Sequence, residues 1–249
     1  MQHIDSFAPD AIRHLKISLD INGYAIIDGL RDTQTMLDFL RHLGIITAPG
    51  VAMGPGMHDQ VTYEVRVRNE GQGVKDEYGN PIISTTAASF DFHTDGYNSP
   101  SPPRYVGLFR TDDSDEAPVS DIADSVGLDG VDEGLWDKLF EPRFPSALGL
   151  VPIIENIGTA RRIRFNPVEI QRWSSRTEGL ERQGLSEIMA TVTRLSAALS
   201  NLAEHFVLRQ YECEILDNWR MCHGRSELKS SSERVVQRVW VAATEDSKL

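Results

Sequence analysis

The chain is poor in cysteine, has no long apolar run and is short of positive charge, and each shortage removes a class of protein. Two cysteines in 249 residues, Cys213 and Cys222, are too few for a disulfide scaffold. No basic-then-apolar leader opens the sequence and no stretch approaches membrane-spanning length, so the expectation is a cytoplasmic protein with reduced thiols and no membrane partner. Lysine and arginine number 25 against 37 acids, a formal net charge of -12. A surface of that sign is not built to grip phosphate backbones, which argues against nucleic acid as a partner. Repeats, low-complexity tracts and Pro/Gly/Ser-rich linkers are also missing, so residues 1–249 read as one domain.

What is present changes character in blocks. Residues 9–20 place Ile12, Leu15 and Leu19 at helical spacing, and 33–43 do the same with Met36, Leu37, Leu40 and Leu43. With the strand-like Tyr24–Ile27 between them, residues 1–60 suggest a helical and strand cap packed on something larger. From Val61 the texture turns to β: Val61, Tyr63, Val65 and Val67 alternate with polar residues. Phe90 and Phe92 lead into His93, Asn98–Pro103 reads as an extended loop, and Tyr105–Arg110 as another strand. Residues 186–206 carry Ile188, Val192, Leu195, Leu199, Leu202 and Phe206 at spacings of four and three, a helix lying on the back of a sheet or, alternatively, a coiled-coil seam. Strand-like segments return from Phe206 onward, with Val239-Trp240-Val241 the most β-like.

His93-Thr94-Asp95 places two ligand types two residues apart, which on a strand puts both on one face. The spacing alone is weak. Seven histidines and 37 acids in this length supply about one such pair by chance, and His3-Ile4-Asp5 is a second instance, set at a terminus. His223 offers a third ligand, and two imidazoles with one carboxylate on one face of an octahedron are typical of non-haem Fe(II) oxygenases. Cys222, beside it, would point to the opposite face of a strand. Arg234 and Arg238 are four apart in a β-like run, so they share a side. Facing inward they would need anions; facing outward they would be solvated and matched by the abundant acids.

These positions resemble the TauD/TfdA family of Fe(II)- and 2-oxoglutarate-dependent dioxygenases, in its clavaminate-synthase-like branch. The resemblance is carried by His93-Thr94-Asp95-Gly96, Pro102-Pro103-Arg104-Tyr105, Ala117-Pro118-Val119-Ser120, Ile163-Arg164-Phe165-Asn166 and His223-Gly224-Arg225 through Arg238. It implies a mainly β fold with flanking helices, a double-stranded β-helix or cupin-like jelly roll. It also implies Fe(II) held by His93, Asp95 and His223, with Arg234 and Ser120 on the distal carboxylate of 2-oxoglutarate and Arg238 on an anionic group of the substrate. Relatives usually carry Gly-Gly-x-Thr where this chain has Ala117–Ser120.

Tyr97 and Asn98 are further candidates for the substrate pocket, as are Tyr63, Arg66, Phe165 and Asn166. The implied reaction uses O2 to hydroxylate a small polar substrate, one bearing a carboxylate such as an amino acid, in a biosynthetic pathway. Asp95 disfavours halogenation, because related halogenases lack that carboxylate. Alternatives are desaturation, cyclisation or sulfonate or phosphonate cleavage with the same cofactors, or a metal-binding jelly roll without turnover.

Overall fold

The computed structural model describes residues 3–48, 60–76, 78–116, 118–130, 133–177 and 182–242. Residues 49–59 of the expected cap and Ala117 of the Ala117–Ser120 stretch lie outside them.

The chain opens with β1 (His3–Asp5), α1 (Ala11–Asn22), β2 (Tyr24–Asp28), α2 (Thr33–Leu40) and β3 (Ile45–Thr47). Ala11, Leu15 and Leu19 are the buried stripe of α1, and Gly23 ends that helix in the left-handed conformation with its N–H on the Leu19 carbonyl. Asp32 caps α2 by accepting from the Thr35 amide at 2.7 Å. The strands β4 (Thr62–Val65), β5 (Phe90–His93), β6 (Tyr105–Arg110) and β7 (Val119–Asp124) follow, then α3 (Glu133–Leu139). Two hairpins come next, β8 (Phe144–Ser146) with β9 (Gly149–Val151), and β10 (Ile154–Ile157) with β11 (Ala160–Ile163). After α4 (Pro167–Ser174) and α5 (Arg182–Asn201), the chain ends in β12 (Glu204–Val207), β13 (Cys213–Asp217), β14 (Met221–Arg225) and β15 (Val236–Ala242).

Two sheets face each other. The larger runs β1-β2-β13-β6-β15-β3, with β4 also on β15; the smaller runs β12-β7-β14-β5. Their inner faces meet in a cluster drawn from both, with Tyr24, Ile26 and Leu216 from one and Ile122, Phe206 and Met221 from the other. The outer face of the large sheet, with Cys213, Ile215, Val239 and Val241, buries Leu15, Leu19, Met36 and Leu40 of α1 and α2. The outer face of the small sheet, with Ala123 and Cys222, is covered by Val192, Leu195 and Leu199 of α5.

Three expectations need correcting. The early residues are not a cap laid on the barrel: β1 and β2 pair into the large sheet itself, β2 antiparallel to β13. His3 and Asp5 therefore belong to an ordered strand, and His3 pairs with Asp28 at 3.1 Å. The helical periodicity expected over 186–206 ends at Asn201; Phe206 sits in β12 and faces the barrel interior, a contact that extended backbone allows and a continued helix would not. Asp95 lies beyond the end of β5, in a turn, so His93 and Asp95 do not share a strand face.

Candidate metal centre and anion pocket

His93 and His223 are direct register partners across β5 and β14, their ring centroids 4.2 Å apart. Gly224, next to His223, allows this pairing: a Cβ there would meet the Phe90 carbonyl oxygen at 2.6 Å, so any side chain would push β5 away. Asp95 reaches the same point by another route. Gly96 turns the chain at φ +78°, and the buried Asn218, between β13 and β14, accepts from the Asp95 amide at 2.8 Å and donates to the Asp95 carbonyl at 3.1 Å and the Pro103 carbonyl at 3.0 Å. The Asp95 Oδ1 then stands 3.7 Å from His93 Nε2 and 3.8 Å from His223 Nε2.

The imidazoles are prepared for a ligand's role. His93 Nδ1 donates to the Asp91 carbonyl at 2.9 Å, which leaves Nε2 with its lone pair inward, buried and without a hydrogen-bond partner. Phe90 stacks on the same ring at 3.6 Å between centroids. Burial holds His93 well below the ordinary histidine range, the facing His223 adds to this, and Asp95 opposes it. Burial likewise lowers His223 to about 4. Burial alone would raise Asp95, but Arg238 and the two histidines outweigh it and keep the carboxylate ionised. Two neutral imidazoles and one carboxylate, with two buried ring nitrogens, His93 Nε2 and His223 Nδ1, lacking a hydrogen-bond partner, fit a divalent cation with open positions. His3, Asp28 and Glu212 form the other such group among the described residues, but there the histidine is exposed and already ion-paired.

The interior beyond the triad is basic. Register places Ile26, Glu214, Leu108, Arg238 and Tyr63 in one row across the large sheet, with Tyr24, Leu216, Val106 and Trp240 in the next. Arg238 donates to Asp95 Oδ1 at 2.7 Å, and Trp240 donates to Oδ2 at 2.7 Å. On the small sheet Phe90, Arg225, Ser120 and Phe206 share a row, one step from His223 and Ile122. Arg225 spends donors on the Thr86 and Ala88 carbonyls at 2.7 and 2.8 Å. Arg234 is 6% exposed, and its guanidinium makes no hydrogen bond or ion pair among the described residues, with Nε fully buried. Burial first, and nearby arginines after it, depress Arg225 and Arg234 to about 10, so they remain cations at neutral pH. Glu214 goes the other way: burial raises its carboxyl to about 8, against the pull of Arg234. With Arg110 paired to Asp112 and Arg238 to Asp95, Arg225 and Arg234 remain as buried cations without an ion pair among the described residues, a surplus that suits an anion.

Of the residues named from sequence, His93, Asp95, His223, Arg238 and Arg234 converge on the barrel interior, and Ser120 joins them beside Arg225. Tyr63 does so too, with the Arg238 guanidinium 5.5 Å over its ring. Tyr97 and Asn98 are placed on the scaffold instead: the Tyr97 ring is core and its hydroxyl donates to the Pro145 carbonyl at 2.7 Å, while Asn98 bridges Glu169 and the Ala147 amide. Phe165 is core, Asn166 caps α4, and Arg66 is on the surface beside Glu64. Sequence reasoning passed over Arg225, Trp240, Glu214 and Asn218. The first two were within reach of strand alternation, standing two residues from His223 and Arg238. A separate cavity of about 820 Å³, between α1, α2 and the β10–β11 hairpin, is lined by residues including Lys16, Arg104, Trp136 and Trp219, and touches none of the triad.

Solved structures share this architecture. A crystal structure of asparagine oxygenase (AsnO) superposes with a TM-score of 0.70 at 18% identity, covering 93% of this chain and 78% of that one. The non-heme iron oxygenase OrfP, in complex with Fe, succinate and (3S)-hydroxy-L-Arg, gives 0.68 at 16%, covering 94% and 80%. The chain has the fold of these oxygenases. No family model matches the sequence, and no curated protein sequence matches it. Asparagine oxygenase is also solved with Fe(II), 2S,3S-3-hydroxyasparagine and succinate, and OrfP with Fe and alpha-ketoglutaric acid. The jelly-roll expectation is met by the two facing sheets. Among the described residues no helix is long and apolar enough to cross a membrane.

Proposed function

We propose that this protein is a non-haem Fe(II)- and 2-oxoglutarate-dependent dioxygenase, its 249 residues one catalytic domain, that hydroxylates a small amino acid or similar carboxylate-bearing molecule. The observation that carries the reading is the meeting of His93, Asp95 and His223, all buried, with His93 Nε2 lacking any protein partner. The likeness in fold to oxygenases solved with asparagine- and arginine-derived products supports the substrate class. Bound Fe(II) and 2-oxoglutarate would supply the oxidising power, with O2 consumed and succinate and CO2 released.

The rest falls to the chain's own side chains. His93, Asp95 and His223 would hold the metal. Trp240 fixes Asp95 Oδ2, so only Oδ1 is turned to the histidines. Arg234, which makes no ion pair among the described residues, would take the distal carboxylate of 2-oxoglutarate, with the Ser120 hydroxyl and Arg225 beside it. Arg238 has an unpartnered Nε besides its bond to Asp95, and offers that donor to a carboxylate of the substrate. The apolar inner cluster of Ile26, Ile122, Phe206 and Leu216 keeps water out of the far end of the barrel.

The test is anaerobic addition of Fe(II) and then 2-oxoglutarate, followed by air and a panel of free amino acids beginning with asparagine and arginine. A visible charge-transfer band, followed by succinate and a product heavier by one oxygen, is the expected outcome. Iron binding with no charge-transfer band and no succinate under any substrate would overturn the reading.

A further inference from the structure

Glu214 is an acid in the wrong place for a structural residue. It sits in the middle of β13, 1% exposed, between Cys213 and Ile215, which face the helices. Its own row neighbours are Ile26 and Leu108, so its side chain is turned to the barrel interior. No hydrogen bond or ion pair reaches the carboxyl among the described residues, and Oε1 is fully buried and unpartnered. An ionised carboxylate left in this state would cost several kcal/mol, and a neutral one still has a donor to place.

The ionisable groups around it are few. The Arg234 guanidinium attracts it from the loop before β15, and Asp121 of β7 repels it, although Asp121 is itself engaged with His205 at 2.6 Å. Tyr24 of β2 bonds to Glu204, and the Cys213 thiol lies on the other face. Arg110 of β6 is committed to Asp112 and the Leu208 carbonyl, and Arg238 to Asp95. Glu214 and Arg234 are thus two inward groups that no side chain or carbonyl matches among the described residues, whereas Arg225 and Arg238 each keep an Nε free but spend other donors on protein oxygens. A carboxyl that keeps its proton and a guanidinium that keeps its charge are complementary to one ligand group, a carboxylate, which accepts from both. A carboxylate in that position removes the unmatched donor from each.

Resting on the function proposed above, we propose that Glu214 is a cosubstrate-binding residue: as a neutral carboxyl it donates a hydrogen bond to the distal carboxylate of 2-oxoglutarate held by Arg234, and its ionisation releases that ligand. Burial raises this carboxyl to about 8, so the donor is present at neutral pH and lost above it. Cosubstrate affinity therefore falls through the mildly alkaline range around 8, below the point near 10 where the arginine itself titrates.

The experiment is an anaerobic titration of the Fe(II)-loaded full chain with 2-oxoglutarate at pH 6.5 to 9.5, read by the charge-transfer band and by calorimetry. The chains compared are wild type, Glu214→Gln and Glu214→Leu, each first checked for folding and iron content. A second ligand, 2-oxobutyrate, lacks the distal carboxylate and controls for pH effects at the metal. Wild type is expected to weaken roughly 10-fold or more between pH 7 and 9 for 2-oxoglutarate but not for 2-oxobutyrate. The amide, which keeps a donor at every pH, is expected to bind as wild type does at pH 7 and to stay flat. The leucine variant is expected to be weaker by roughly 10-fold at pH 7 and also flat. Equal pH dependence in wild type and Glu214→Gln, a wild-type affinity that does not change with pH, or a leucine variant as tight as wild type would each overturn the role of Glu214 while leaving the oxygenase reading intact. Absence of any 2-oxoglutarate binding by iron-loaded wild type at pH 6.5 would overturn both.

Discussion

Cys222 and His223 are adjacent in the chain and live in different surroundings. Cys222 is turned to α5 among Val192, Leu195 and Leu199, where burial pushes its thiol far up and leaves it inert; His223 is turned into the barrel beside Asp95. On β13 the same division separates Ile215, packed under α1 and α2, from the buried and unmatched Glu214. The outer faces of both sheets are ordinary apolar cores. The inner face carries Arg225, Arg234, Arg238, Asp95 and Glu214 together, an arrangement that is unfavourable by itself and persists because the outer faces hold the strands in place. Stability and chemistry are thus segregated by strand alternation, one residue apart.

That segregation can be broken by substitution. The largest effect is expected from His223→Ala: iron content falls to background, a loss beyond the roughly 100-fold typical of supporting residues, while the melting temperature of the iron-free chain barely moves. A variant that also unfolds would show that the inner face contributes to stability after all. Ile215→Ala should do the reverse, losing about 2–5 kcal/mol in urea unfolding with Fe(II) affinity unchanged at low temperature.

Glu214 gives a graded test of the same contrast. Its carboxyl, ordinarily near 4.5, is raised to about 8 in the fold, so the folded chain keeps a proton that the unfolded chain releases. The stability associated with this group is complete below about pH 4.5, declines as pH rises to about 8 and is level beyond. Glu214→Gln should therefore be more stable than wild type at pH 8, by a few kcal/mol at most, with the advantage shrinking toward pH 4.5 in paired denaturation curves. The smallest effect is expected from Arg234→Ala. It should raise the dissociation constant for 2-oxoglutarate roughly 10- to 100-fold in the anaerobic titration and leave iron binding as it was.

Much of the site was legible because strands announce their two faces. Phe90 and Phe92 marked β5, and Cys222 opposite His223 followed from alternation; Arg234 is buried with Arg238, but from the loop before β15, where alternation no longer applies. What failed was the position of Asp95. Spacing places two residues on one strand face only while the strand continues, and β5 stops at His93; Asp95 is positioned by the Asn218 amide, 123 residues away, which no local pattern encodes. Tyr97 and Asn98 look close to the site in sequence, but the Gly96 turn sends them to Pro145 and Glu169. Of the early strands only β2 was legible, and it was read as part of a cap, because sheet membership depends on pairing partners near residue 215 that alternation cannot name. Glu214 left one signal, a lone acid inside the apolar run Cys213–Leu216.

The Asn218 amide has a consequence for the order in which the molecule is assembled. It ties the turn between β13 and β14 to the Asp95 loop, and His223 follows five residues later on the strand that pairs with β5. Both halves of the triad are therefore brought together in one late event, the docking of the C-terminal strands across more than a hundred residues of intervening chain, which is the slow kind of contact to form. No three-cornered cradle exists until β14 has paired with β5 and Asn218 has met the Asp95 loop.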